Sequence, residues 1–309
     1  MILCCGESLI DMIPEQTNKK STGFVPYPGG AIFNTAIGIG RLECNVGLMS
    51  GISTDIFGQQ LMGELNASNV DTSNVVLSDR PTTLAFVQLI DGQASYLFYD
   101  ENSAGRMIEV KDMPQQLDTV TTFLFGGISL HCDPGAEAYV QFAEAHTNSS
   151  VVMVDPNIRP GFISNEKLFR DHIERMLRLA DIVKVSSEDL NWFFPETETV
   201  EAKIYKLQKL GPTLVVLTCG EAGVQAWRPE GNPISVDSLK VDVVDTVGAG
   251  DSFNAGFLTS LAKAGLLSKA AIKLMLESDI IAALDFGVRT ASITVGRAGA
   301  NPPWRNEIK

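Results

Sequence analysis

The chain has 309 residues, 45% apolar and 20% charged, an ordinary globular composition with enough apolar material for a large core. Its formal net charge of −13 argues against nucleic acid or an anionic membrane surface as a partner. No apolar run approaches a membrane span, and Met1-Ile2-Leu3-Cys4-Cys5 is too short, and too poor in basic residues, for a secretory leader. Cys4, Cys5, Cys44, Cys132 and Cys219 show no metal-ligand spacing and mostly sit in or beside apolar runs, as buried thiols of a reducing compartment do. His131, His146 and His172 form no cluster. These features predict a cytoplasmic protein. Length alone would suggest about two domains, but α/β folds often run this long as one. No linker divides the chain, so one domain over 1–309 is expected.

Residues 2–5 form an apolar run ending at Gly6 and read as a buried strand. Asp11 follows, a carboxylate where open α/β sheets bind ligands, although the residues alone favour a turn residue. Gly29-Gly30-Ala31-Ile32-Phe33-Asn34 opens a helix whose apolar face carries Ile32, Ala36 and Ile39. The glycines give access to backbone, and Asn34 offers an amide that donates and accepts, or is a surface Asn at a helix start. Runs 85–90 and 94–99 flank Asp91-Gly92-Gln93 and predict a hairpin. Segment 98–107, with Phe98, Asp100, Glu101 and Arg106, reads by default as a solvated turn.

Beyond it, apolar strands alternate with helical patterns: strands at 122–125, 151–154, 182–185 and 214–217, helices at 137–145 and 168–179. Such strands belong to a mainly parallel sheet covered on both faces. No Gly-x-Gly-x-x-Gly opens the first strand–helix turn, which argues against a dinucleotide dehydrogenase. Polar segments follow three of the strands. Asp155-Pro156-Asn157-Ile158-Arg159-Pro160 is a rigid exit that could hold an internal Asp–Arg pair. Ser186-Ser187-Glu188-Asp189 could cap a helix, and Thr218-Cys219-Gly220-Glu221-Ala222-Gly223 is by itself a weak hairpin signal.

Asp245-Thr246-Val247-Gly248-Ala249-Gly250-Asp251-Ser252-Phe253 follows an alternating run, Val241 and Val243, and opens a helix carrying Phe253, Phe257, Leu258 and Leu261 and ending at Gly265. Gly248-Ala249-Gly250 is thus expected at a strand-to-helix turn, where free N–H groups and the helix dipole attract an anion. A carboxylate there would repel a phosphate. Asp251 is either an ordinary first-turn acid or a general base for a hydroxyl beside the cradled phosphate, and spacing leaves both open.

The nine residues resemble the C-terminal signature of the ribokinase-like (PfkB) family of carbohydrate and nucleoside kinases, and Gly29-Gly30-x-x-x-Asn34 resembles its N-terminal motif. The resemblance spans Gly6 to Ala300; segment 98–106 is similar to bacterial fructokinases and segment 155–160 to the fructokinase and ketodeoxygluconate-kinase branch. It implies an α/β fold with a ribokinase-like, doubly wound, mainly parallel sheet, helices on both faces and a small β lid from about 12–27 and 85–100. Asp251 would be the catalytic base and Gly248, Ala249 and Gly250 the anion hole, with Arg159 near the sugar or transferring phosphate and Asp155 supporting it. Asp11, Gly29, Gly30, Asn34, Phe98 and Arg106 would meet the sugar. Ser186, Thr218, Gly220, Gly223, Gly248 and Gly250 would meet ATP, and the helix at 282–292 would border the adenine. Asp189 or Glu188 would serve Mg²⁺ through water, with the resemblance favouring Asp189. Backbone at Asp245 and Val247, with Gly299-Ala300-Asn301, would frame a K⁺ site. Glu43 and Ser53 stand where the family often has glycine, and Ser186 where it commonly has Asn.

The activity implied is ATP-dependent phosphorylation of a sugar hydroxyl, foremost fructose to fructose 6-phosphate, with the exposed face of the lid pairing two subunits. Asp100 and Glu101 would repel a sugar acid, which weighs against 2-keto-3-deoxygluconate kinase. A ribokinase- or nucleoside-type kinase is a further alternative. From another class comes a catalytically silent sugar sensor, against which the intact Asp251 and Gly-Ala-Gly turn weigh.

Overall fold

A computed structural model describes residues 1–18, 21–90, 93–195 and 198–309. The first half runs β1 (Ile2–Cys5), β2 (Leu9–Gln16), β3 (Thr22–Gly29), α1 (Ala31–Arg41), β4 (Val46–Met49), β5 (Gly51–Ser53), α2 (Ile56–Ala67), β6 (Val76–Ser78), β7 (Thr83–Ile90), β8 (Gln93–Tyr99), β9 (Thr122–Gly126) and α3 (Gly135–His146). There follow β10 (Val151–Asp155), α4 (Glu166–Leu179), β11 (Ile182–Ser186), α5 (Ser187–Phe193), α6 (Val200–Gln208), β12 (Leu214–Thr218), β13 (Val224–Trp227), β14 (Ile234–Val236), α7 (Ala249–Lys263), α8 (Lys269–Leu274) and α9 (Glu277–Val295).

Eight strands form one sheet in the order β14-β13-β12-β11-β10-β9-β1-β4. Pairing is parallel from β12 to β4 and antiparallel only at the β12–β13–β14 edge. Strand residues alternate between two cores. Cys4, Leu124, Met153, Ile182 and Val216 join the core containing Phe33 of α1, Phe257 of α7 and Leu284 of α9. Cys5, Phe125, Val154, Val183 and Leu217 join the core containing Tyr139 of α3, Phe169 of α4 and Ile204 of α6. A sheet buried on both faces needs no polar face, which is why its strands read as continuous apolar runs. Each fully buried Leu or Phe stabilises by about 1.5–3 kcal/mol, so this sheet is the rigid frame. Cys4 and Cys5 are buried thiols; Cys44, Cys132 and Cys219 are half-buried, and all five are free.

The order also fixes where a ligand can sit. β1 lies between β4 and β9, so successive crossovers leave it on opposite sides. At such a switch point a crevice opens beyond the carboxyl ends of the strands.

A second sheet, in the order β3-β2-β7-β8, carries the hairpin. Asp91 and Gly92 lie outside the described residues, and Gln93 opens β8. The strands begin a few residues before 12 and 85, at Leu9 and Thr83, so this sheet takes in Asp11. Asp11 is therefore neither a turn residue nor part of the first strand. It lies within β2, facing Tyr27 of β3 and Ala85 of β7 in register.

Three local expectations are settled here. Glu43 follows α1 with φ 59°, so a side chain occupies the left-handed position that glycine usually takes; the turn is kept at a cost of about 1–2 kcal/mol. Ser53 ends β5 and its hydroxyl accepts the N–H of Asp55, the N-cap of α2. The run containing Val241 and Val243 is not a strand: β14 ends at Val236, and Val241 and Val243 are 42% and 57% exposed. The chain instead docks on the end of α9, where Val244 and Asp245 donate N–H to the Val295 carbonyl. Gly248-Ala249-Gly250 is thus reached from a loop.

Candidate active site

A cleft of about 1250 Å³ opens beyond the carboxyl ends of the large sheet. Its lining includes Glu7 after β1, Gly127 and Ile128 after β9, Asn157 and Arg159 after β10, and Ser186 and Thr218 at the ends of β11 and β12. One end is closed by Leu9 and Asp11 of β2, Gly30 at the N-cap of α1, Asn34 of α1 and Phe98 of β8, the other by residues 237–241, 243 and 246–250 with Val288, Ala291, Ser292 and Val295 of α9.

Gly248 begins α7 as its N-cap with φ 75°, in the left-handed region. A Cβ there would lie 2.7 Å from that of Ala300, so two reasons hold the position to glycine. The first N–H groups of a helix have no intrahelical acceptor; that of Ala249 makes a long 3.3 Å bond to the Thr246 carbonyl, and Gly248, Ala249 and Gly250 all line the cleft. Asp251 sits in that first turn, only 7% exposed. Its Oδ2 accepts a 2.9 Å hydrogen bond from Nδ2 of Asn34, and Thr35 Oγ1 donates to its backbone carbonyl. Burial pushes the Asp251 carboxyl up to about 7. The Asn34 bond opposes the shift, Asp155 adds to it, and Lys184 and Arg159 oppose it. A carboxyl poised near neutrality and facing a cleft suits proton abstraction from a hydroxyl. Asn34, then, is no surface residue; it is buried, and its amide is spent in part on Asp251.

Asp11 faces the same cleft, and burial raises its carboxyl to about 6 against the pull of Arg159. The guanidinium of Arg159 bears on Asp11 and Asp251 alike, and its Nη1 donates to the Ile158 carbonyl. Phe98 meets Phe162 edge-to-face at 4.7 Å and lines the cleft. Gly29 packs against the Asp11 carboxylate, behind Gly30.

Three expectations find no support in the geometry. Arg106 does not line the cleft; it borders a small neighbouring cavity with Thr83, Asp100 and Cys132. Asp100, which shares that cavity, is buried, and its Oδ1 accepts from the hydroxyls of Thr83 and Ser103, so segment 98–107 is not a solvated turn at this point. Nor does Asp155 support Arg159. β10 and β11 pair with Val154 opposite Val183, which sets Asp155 beside Lys184, and its Oδ2 accepts from Lys184 Nζ at 3.1 Å and Asn254 Nδ2 at 2.6 Å.

Where β11 and β12 meet the cleft, Ser186 caps α5: its hydroxyl accepts the Asp189 N–H while Asp189 Oδ2 accepts the Ser186 N–H. Asp189 Oδ1 accepts from Ile158, so both carboxylate oxygens hold backbone. Glu188 and Asp189 both line the cleft. Thr218 Oγ1 donates to the Val185 carbonyl, and Gly220 and Gly223 take positive φ in the turn between β12 and β13, so the hairpin reading and a place on the cleft hold together. Asp245 Oδ1 accepts the Val247 N–H and Oδ2 the Gly299 N–H, joining loops 245–248 and 299–301.

Sequence reasoning missed three residues. Lys184 was passed over although a lysine inside Ile182-Val183-Lys184-Val185 breaks a buried strand, itself a signal. Asn254 gave no signal beyond a polar residue on an apolar helix. Glu7, 7% exposed, accepts the Ala31 and Ile32 N–H groups at the start of α1 and so fixes that turn from another element.

Comparisons with known proteins agree with this fold. The family model described as pfkB family carbohydrate kinase matches residues 1–307. A fructokinase of Rhizobium leguminosarum bv. trifolii is 46% identical over 269 residues, 87% of this chain and 82% of that protein. The structure of a fructokinase from Xylella fastidiosa with bound ATP is similar with a TM-score of 0.88 and 28% identity, covering 97% of this chain and 93% of that one. An aminoimidazole riboside kinase from Salmonella enterica shares the fold with a TM-score of 0.84 at 24% identity, covering 99% and 97%. The whole-length family match and the close fructokinase relative settle the membership: the chain belongs to the PfkB family of carbohydrate kinases, which transfer phosphate from ATP to sugars.

Proposed function

We propose that this kinase phosphorylates fructose to fructose 6-phosphate, with Asp251 as the base. The observation that carries the reading is Asp251 itself, a buried carboxylate raised to about 7 in the first turn of α7, beside the Gly248–Gly250 backbone. Asp251 would take the proton of the attacking hydroxyl while the N–H groups of Gly248, Ala249 and Gly250 stabilise charge on the transferring phosphoryl. Asp11, Gly30, Asn34, Phe98 and Arg159 would hold the sugar so that one hydroxyl faces Asp251. Positioning of this kind supplies a large share of such catalysis.

The ATP adenine would lie against Val288, Ala291 and Val295 of α9, facing Leu239, Val241 and Val243; all line the cleft. Their exposure in a loop is what a ring-binding slot requires. Among the described residues no three His, Cys, Asp or Glu side chains converge to hold a metal. That fits Mg²⁺, which keeps several waters and binds chiefly through substrate phosphates with one or two carboxylates. Glu188 is the better placed of the two acids, because Asp189 is committed to backbone. When bound, the ion offsets phosphate charge. The 245–248 and 299–301 loops, pinned by Asp245, would frame K⁺ with their carbonyls.

The second sheet would act as a lid that excludes water, which limits ATP hydrolysis in competition with transfer. It also leaves Phe24, Tyr27, Leu97 and Tyr99 exposed, with Phe24, Phe86 and Tyr99 in an edge-to-face row. Such a face suits a second copy of the chain, so a homodimer through the lids is part of the proposal. No helix among the described residues is long and apolar enough to cross a membrane.

The deciding experiment is ATP consumption with Mg²⁺ against fructose, 2-keto-3-deoxygluconate, ribose and nucleosides. Fructose 6-phosphate formed with fructose alone would bear the reading out. Preference for another acceptor would keep Asp251 and move the sugar. ATP binding with no turnover on any acceptor would favour a sugar sensor.

A further inference from the structure

Lys184 is a buried cation that the proton-transfer scheme does not use. It projects from β11, is 5% exposed and lines the cleft. Its Nζ donates to Asp155 Oδ2 at 3.1 Å, and that same oxygen accepts from Asn254 Nδ2 at 2.6 Å. Asn254 lies on α7 three residues beyond Asp251, so the helix that carries the base also grips the lysine's partner. On its other side the ammonium abuts the anion-binding turn: a Cβ at Gly250 would stand 3.2 Å from Nζ.

An ammonium has three donors, and the described residues take one of them, at Asp155. Lys184 lines the cleft, so its remaining donors can meet the oxygens of a ligand there. The surrounding charge points the same way. Asp155, Asp189 and Asp251 all act on Lys184, and their joint field raises its pKa although burial, the largest single influence, opposes it. Three carboxylates beside a phosphate site need a cation between them and the incoming oxygens, and Lys184 is the one that touches the turn.

Resting on the kinase reading above, we propose that Lys184 contacts the phosphoryl group in transfer, as the side-chain cation of the Gly248–Gly250 anion hole. Asp155 and Asn254 are positioning residues that aim it. A lysine is a point charge with rotatable donors, suited to follow a phosphoryl group from ATP toward the sugar.

The test uses the whole chain with Mg²⁺ and compares binding of ADP with that of the β,γ-imido analogue of ATP by titration calorimetry. Lys184→Met alone would leave Asp155 buried and unpaired, so the informative variant is Lys184→Met with Asp155→Asn, which removes both charges. It should keep ADP affinity within about threefold and weaken the analogue at least about tenfold, as loss of one charged hydrogen bond predicts. Turnover with the preferred sugar should fall about a hundredfold with sugar KM little changed. A double variant that melts like the wild type and binds the analogue as well as the wild type does would overturn the proposal.

If the double variant does not fold, the wild type carries the test. Carbamylation of Lys184 by cyanate, followed by mass spectrometry, should be slowed by the imido analogue well beyond any effect of ADP. Equal rates with both nucleotides would overturn it. Dependence of the analogue's affinity on Lys184 in a protein that phosphorylates no sugar would sink the kinase reading and leave the phosphoryl contact standing.

Discussion

The two ends of the cleft are built differently. At one end, the proposed phosphate site, four consecutive residues, Gly248 to Asp251, supply a glycine turn, the first N–H groups of α7 and a buried carboxylate. At the other, the proposed sugar site, Asp11 comes from β2, Gly30 and Asn34 from the start of α1, Phe98 from β8 and Arg159 from the exit of β10. Backbone does most of the work at the first, side chains at the second. Backbone donors read any phosphate, whereas side chains from separate elements read the placement of hydroxyls. Chemistry is thus held fixed while specificity can drift, one element at a time.

Four measurements break or sharpen that contrast. The largest effect belongs to Asp251→Asn, which keeps the Asn34 contact in shape but removes the base. Turnover should drop by about 10²–10⁴ with sugar and nucleotide affinities within a few-fold. Turnover close to that of the wild type would end the base assignment. Next comes Gly248→Ala, which forces a side chain into the left-handed region and against Ala300. It should destabilise by about 1–2 kcal/mol and slow turnover with every acceptor equally. Selective loss of one sugar would mean that this end reads substrate after all.

Asp11→Ala should act at the other end, raising sugar KM about tenfold or more, as loss of a charged hydrogen bond does, with KM for ATP unchanged. An effect on ATP instead would place Asp11 elsewhere in the mechanism. The last effect is on stability against pH. Asp251 titrates at about 7 folded, above its ordinary 3.8, so the native state holds the proton more tightly than the unfolded chain does. Stability should therefore fall as pH rises from about 4 to about 7 and then level off. Asp251→Asn should melt no later than the wild type near pH 4 and several degrees later at pH 8. In the wild type kcat/KM should rise through the same window, as the base loses its proton. A melting curve with the same pH slope in both proteins would show that Asp251 is not the group that titrates.

The contrast also explains how much could be read in advance. The large sheet was legible because burial on both faces leaves uninterrupted apolar runs, and the glycine turn at the start of α7 because its parts are contiguous. Asp251 emerged from one nine-residue window. Arg106 was misplaced because nothing in segment 98–107 says which of two neighbouring cavities a side chain enters. Asp155 was given the wrong partner for a related reason. Local spacing offers Arg159, four residues away, whereas the partner is set by strand register, which puts Lys184 next door. The Val241 and Val243 alternation misled because period two marks a strand only where a neighbouring strand is there to pair, and the sheet ends at β14.

The hydrogen bond from Asn34 to Asp251 spans 217 residues of sequence. During synthesis Asn34 therefore leaves the ribosome about 10 to 40 s before its partner, at about 5–20 residues per second. Late in that interval the nascent chain can already own β1, α1 and most of the central strands, yet it lacks the proposed base, the Gly248–Gly250 turn and α9. On the reading proposed above, a chain caught half-made cannot spend ATP. Reactivity arrives late, in one short stretch near the end of translation, after the surfaces meant to shield it from water have been made.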